Sequence, residues 1–195
     1  MLRPGAALAQ SAGDEDLRDF LVEAIALEQL AVLAYATASD AAGVDSALRR
    51  QLEELGDQEQ AHANALRSAL DSLDFDAPEA PADAADTAVL DGVEGLSDDA
   101  SERLADLLAD LDGLSERDEL LEFVAELEGD QLDLYVGRGP DLDSEDLSTT
   151  AAEIAGCQAQ HLIALRTALG DDPAAALEAA AEAIEGAVAG AAADE

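Results

Sequence analysis

The chain has 195 residues, enough for one domain with a full core or one domain with an extension. It carries 46 acidic residues against nine arginines and no lysine, a formal charge of -37, and this field excludes nucleic acid and anionic membranes as partners. Alanine, leucine and acids dominate while aromatics are 3%, a composition of helices rather than strands. The acid excess reads as a solvated surface, suited to a high-salt cytoplasm.

The opening residues 1–13, MLRPGAALAQSAG, hold a short apolar run that leaves a truncated signal peptide open, and they are expected to be flexible. No run approaches the roughly 20 apolar residues of a membrane span, so a cytoplasmic location is expected. Asp14 to Asp16 provide the cap and first-turn acids for a helix over about 15–39. Its stripe is Leu17, Leu21, Ala24, Glu28, Ala31 and Tyr35, with one carboxylate on the apolar side. A short turn around Gly43 leads to a second helix capped by Asp45 or Ser46, and so short a turn favours antiparallel neighbours. In this helix Leu48, Leu52, Leu55, Glu59, His62, Leu66 and Ala69 form one stripe, with a carboxylate and an imidazole at its centre. Buried and unpaired, those groups would be costly, so facing helices must satisfy them.

Residues 71–114 read as a crossover, with Pro78 and Pro81 breaking the pattern. Within it, Leu96 to Asp99 start a short helix with Leu104, Leu107, Leu108 and Leu111 on one side, ended by Gly113. A third long helix is predicted from about Ser115 to Gly137, with Leu121, Val124, Glu128, Leu132 and Tyr135 on one side. Gly139 and Pro140 follow it. The fourth begins near Ser144 or Leu147 and ends at Gly170, with the stripe Ala151, Ile154, Gln158, His161, Leu165 and Ala168. Cys157, the only cysteine, forms no intrachain disulfide and reads as a small buried hydrophobe. Residues 171–195 are an Ala/Glu-rich extension in which 174–189 can form a helix, loosely docked or frayed.

The long helices repeat. Glu28 and Tyr35 lie over Glu128 and Tyr135 at an offset of 100, and the run from His62 to Leu70 lies over His161 to Leu169 at an offset of 99. The chain thus reads as a duplicated helical hairpin whose duplicated features include the polar residues of the stripes. An antiparallel four-helix bundle can bring Glu28, Glu59, His62, Glu128, Gln158 and His161 to one interior point. A glutamate from two helices and Glu-x-x-His from the other two is the ligand set of a dinuclear carboxylate site. Carboxylates neutralise and bridge two divalent cations, and imidazoles hold iron, manganese or zinc.

At these residues, over about 14–170, the sequence resembles the ferritin-like superfamily of four-helix di-iron carboxylate proteins, and within it the small prokaryotic ferritin-like domain proteins. The resemblance implies an all-α, antiparallel bundle of two hairpins joined by the long crossover, and a centre for iron or manganese with oxygen, peroxide or iron-handling chemistry. It also implies ligand roles for Glu28, Glu59, His62, Glu128 and His161, with metal ions and a second copy of the chain as partners. Net repulsion argues against a dense cage unless salt is high. The pattern departs at Gln158, where the family has glutamate: an amide offers one neutral carbonyl, and the carboxylate charge falls from -4 to -3. Glu153, the nearest acid upstream, falls on another face. Three outcomes are open: a weakened pair of metals, one metal on the Glu28, Glu59 and His62 side, or a polar core with none. Tyr35 and Tyr135 read as core residues with satisfied hydroxyls, or as hydrogen-bond partners of Glu28 or Glu128. The competing functional reading is a non-catalytic structural or stress-related interaction bundle whose core is held by hydrogen bonds.

Overall fold

In the computed structural model, residues 12–73, 95–138, 142 and 144–191 are described. They form six helices and no strand: α1 (Ala12–Asp40), α2 (Ser46–Ser72), α3 (Asp98–Gly113), α4 (Arg117–Arg138), α5 (Glu145–Leu169) and α6 (Pro173–Ala191). The expectations for residues 1–11, for the prolines at 78 and 81 and for the Gly139–Pro140 stop lie outside the described residues.

The helix ends follow from local chemistry. Asp45 caps α2, its Oδ1 accepting from the amides of Ala47 and Leu48 at 2.8 and 2.9 Å. Those backbone donors hold the Asp45 carboxyl below its usual range. Ser97 caps α3 and Ser144 caps α5, each accepting from the amide three residues on. Gly170 closes α5 at φ 109°, a left-handed conformation that glycine adopts without penalty.

Packing departs from the single-stripe picture in three ways. First, α1 and α4 are buried on several sides. Phe20, Val22, Ile25 and Leu27 of α1, and Leu120, Phe123 and Leu134 of α4, join the core beside the predicted stripes. α4 packs against α1, α5 and α6, so more than one face is covered. Second, in α2 the core line runs through Leu52, Leu55, Glu59, Ala63, Leu66 and Leu70, while Leu48, His62 and Ala69 are only partly covered. Third, α6 is docked: Ala176, Ala180 and Ala187 are buried where it packs on α4 and α5, small residues allowing close approach despite low apolar bulk.

The 25-residue stretch Asp16–Asp40 is long and apolar enough to cross a membrane by length and composition, contrary to the expectation above. It owes that composition to encirclement, because 78% of its apolar window is buried inside the protein. Cys157 is partly exposed rather than buried, lying beside the core line of α5. Around α3, Arg103 reaches Glu23 of α1 at 3.7 Å and Asp130 of α4 at 2.8 Å. Gly56 lets α2 approach α1 closely, since a Cβ there would lie 3.2 Å from Cβ of Tyr35.

Candidate metal centre

All six polar stripe residues meet in the interior. Glu28 comes from α1, Glu59 and His62 from α2, Glu128 from α4, and Gln158 and His161 from α5. Glu28, Glu59, Glu128 and Gln158 have no solvent exposure and His161 is 1% exposed. The His62 side chain alone keeps 13%. Glu59 sits at the middle. Its Oε1 lies 2.8 Å from Nδ1 of His161 and 3.6 Å from Nδ1 of His62. His62 Nδ1 is also 3.4 Å from Glu28 Oε2, and His161 Nδ1 is 3.3 Å from Glu128 Oε1.

Each carboxylate has one oxygen held by donors and one without. Glu28 Oε1 accepts from the Tyr135 hydroxyl and, at 3.4 Å, from the Gln158 amide. Glu59 Oε2 accepts from Gln158 at 3.1 Å and from Gln131 at 3.5 Å. Glu128 Oε1 accepts from the Tyr35 hydroxyl at 2.5 Å. The opposite oxygens, Glu28 Oε2, Glu59 Oε1 and Glu128 Oε2, are buried without a hydrogen bond, as is His62 Nδ1. The imidazole contacts of Glu59 Oε1 and Glu28 Oε2 are therefore close approaches of charge rather than aligned hydrogen bonds.

The tyrosines exchange partners between the two halves of the repeat: Tyr35 of α1 serves Glu128 of α4, and Tyr135 of α4 serves Glu28 of α1. Seven residues along a helix span roughly 10.5 Å, which separates each tyrosine from the glutamate of its own helix by about two turns. Burial, and after it the adjacent carboxylate, raises both phenols well above their ordinary value, which keeps them donors.

Electrostatics divides the cluster. Burial, then repulsion from Glu59, pushes Glu28 well above the carboxylate range and Glu128 up to about 7. Burial acts to raise Glu59 as well, but His161 and His62 outweigh it and hold this carboxyl below its usual range. For the histidines, burial works toward the neutral ring and the carboxylates prevail. His62 is raised to about 11 by Glu28 and Glu59, and His161 to about 10 by Glu128 and Glu59. Glu59 is thus the fixed anion between two cationic rings.

Two triads could each hold an ion: Glu28, Glu59 and His62, and Glu59, Glu128 and His161, the ligand atoms of each lying within 4.8 Å of one another. They share Glu59. The chemistry of the donors suits iron or manganese, and the unbonded oxygen on every carboxylate is what a cation would engage. The second triad is as compact as the first, so the geometry does not single out the Glu28, Glu59 and His62 side. Glu153 is exposed and does not substitute for the carboxylate missing at Gln158. That glutamine instead turns its amide between Glu28 and Glu59, supplying donors where a cation would supply charge.

Two residues escaped the sequence reading. Gln131, fully buried, supports Glu59 from α4, and its only sequence signal is its place one turn after Glu128. Gln58 lies off the apolar stripe, yet its Oε1 is 2.9 Å from Nε2 of His161. No periodicity could have found it.

A family model described as a ferritin-like domain matches residues 16–171. No curated protein and no solved structure gave a match. The match covers α1 from Asp16 onward and all of α2 to α5, including every residue of the buried cluster. The chain therefore belongs to the ferritin-like domain family.

Proposed function

We propose that the protein is a ferritin-like metal-binding protein, holding iron or manganese between Glu28, Glu59, His62, Glu128 and His161. Its scaffold in this reading is an antiparallel four-helix bundle, α1–α2 and α4–α5 being two hairpins joined by the crossover over 71–114. The crossed pairs Tyr35–Glu128 and Tyr135–Glu28 support opposite directions for α1 and α4. The observation that carries the metal reading is the unbonded, buried oxygen on each of three carboxylates gathered around two imidazoles. Glu59 Oε1 and Glu28 Oε2 face imidazoles across 2.8 and 3.4 Å, and burying an oxygen without any hydrogen bond, as at Glu128 Oε2, costs about 1–3 kcal/mol.

When bound, the metal would supply Lewis acidity and, for iron or manganese, electron exchange with oxygen or peroxide. The chain's own contribution is different. Glu59 faces both histidines with one oxygen, Tyr35 and Tyr135 orient Glu128 and Glu28, and the surrounding leucines exclude water. Three carboxylates leave two divalent cations incompletely balanced, so lower affinity than in a four-carboxylate site is expected.

A second reading is a structural bundle whose polar core needs no metal. One observation favours it: the Gln158 amide and the two charged imidazoles already balance much of the cluster. Elemental mass spectrometry on protein purified without chelator, in high salt, separates the two. Near-stoichiometric iron or manganese that falls in His62→Ala and His161→Ala supports the first reading. Absence of metal after reconstitution, with a melting temperature indifferent to added ions, would establish the second.

A further inference from the structure

The two halves of the cluster share a carboxylate but not a setting. The rings of His62 and His161 stack at 6.2 Å between centroids and 19° between planes, and each turns Nδ1 toward the glutamates. They differ at Nε2. On His161 it meets Oε1 of Gln58, from the preceding turn of α2, at 2.9 Å. A carbonyl oxygen can only accept, so Nε2 carries a proton and Nδ1 is the edge left to face Glu59 and Glu128. Among the described residues, no such hydrogen bond restrains Nε2 of His62, whose side chain is 13% exposed against 1% for His161. Orienting a ligating histidine through its far nitrogen commonly changes metal affinity by about 10- to 100-fold.

We propose that Gln58 is a positioning residue that locks the ring of His161, making Glu59–Glu128–His161 the tight position and Glu28–Glu59–His62 the exchangeable one. The locking of the ring stands by itself; the ranking of the two positions rests on the metal-binding reading above. Gln58 is exposed, so its replacement leaves the core intact.

Two measurements test the proposal. The first is nitrogen-15 NMR of the histidine rings in metal-free protein; with only two histidines, His62→Ala assigns both. A slowly exchanging Nε2 proton on His161 is expected in wild type and in Gln58→Glu, which keeps an acceptor, and is lost in Gln58→Ala. Its absence from wild type, or its survival in Gln58→Ala, overturns the role of Gln58. The second is calorimetric titration with cobalt(II) in high salt. Wild type should show two affinities, the tighter lost in His161→Ala and the weaker in His62→Ala. Gln58→Ala should weaken the tighter by about 10- to 100-fold and leave the other unchanged. Equal affinities in wild type, or a change under about twofold in Gln58→Ala, refute the ranking. If wild type binds no cobalt, the metal reading and the ranking fall together, while the NMR result still decides whether Gln58 holds the ring.

Discussion

Replacing Gln158 by glutamate places a fourth carboxyl group where an amide now donates to Glu59 at 3.1 Å and to Glu28 at 3.4 Å. In metal-free protein both donors disappear. Hydrogen bonds to charged groups contribute about 1.5–3 kcal/mol each; at the lower figure, suited to these long contacts, the loss is about 3 kcal/mol. Repulsion adds to it, since unit charges at about 3 Å and an effective dielectric near 20 interact by roughly 5 kcal/mol, and the new group will take up a proton to avoid this. Its folded-state pKa is therefore raised above the unfolded value, so in acid the repulsion is absent and the protonated group restores one donor, and the deficit grows as pH rises from about 5 to 8. For a chain of this size, 3 kcal/mol corresponds to a melting temperature lower by about 6–12 °C. Adding manganese should reverse the effect, because four carboxylates balance two divalent cations, and an ion at about 100 times its Kd contributes roughly 2.7 kcal/mol. The assay is thermal unfolding of wild type and Gln158→Glu in high salt, with chelator and with manganese, at pH 5 and pH 8. If the metal-free variant melts within about 2 °C of wild type at pH 8, the amide does not hold the carboxylates together and the reasoning fails.

Three further outcomes are expected. At pH 7 both histidines of the metal-free protein are charged, with pKa values of about 11 and 10, and Glu28 and Glu128 are raised as well, so a metal taking the two Nδ1 positions should release the two imidazole protons and further protons from these carboxyls. Binding heats measured in buffers of different ionisation enthalpy will reveal this, and buffer-independent heats would contradict it. The same raised values stabilise the metal-free fold below about pH 6.5, a contribution lost as pH rises through 10 to 11. Tyr35→Phe removes the hydroxyl that serves Glu128 and should cost about 1–3 kcal/mol in urea unfolding at pH 7; a change below about 0.5 kcal/mol would show that the bond is not maintained. Finally, a charge of -37 should make the melting temperature climb with potassium chloride, steeply at first and then flattening as screening saturates. A salt-independent melting temperature would show that self-repulsion is not a determinant of stability.

The parts of the fold legible in the sequence are those governed by period and cap. Asp45, Ser97, Ser144 and Gly170 mark helix ends that the structure places at or next to them. Glu28, Glu59, Glu128, Gln158 and His161 could be identified because a polar group at a stripe position is conspicuous among leucines. What escaped depends on relations between helices. Which tyrosine serves which glutamate is set by the relative placement of α1 and α4, on which a repeat within the chain says nothing. Gln58 acts from outside the stripe of its own helix, and Gln131 shares a face already crowded with apolar residues. The depth of α1 was underread because a helix covered on several sides loses the polar flank that makes a stripe visible. Docking of α6 through Ala176, Ala180 and Ala187 was equally hidden, since alanine serves exposed and buried positions alike.

The crossed tyrosine–glutamate pairs bear on how α1 and α4 hold together. α1 carries the donor for the acid of α4, and α4 the donor for the acid of α1. Without α4 the Tyr35 hydroxyl would lose Glu128, and without α1 the Tyr135 hydroxyl would lose Glu28, each a hydrogen bond to a carboxyl group. The exchange therefore depends on register: both hydroxyls find their acids only when α1 and α4 pack at one relative placement. A change at Tyr35 is thus felt first across the bundle interior at Glu128, and a change at Tyr135 at Glu28, rather than on the helix that carries it.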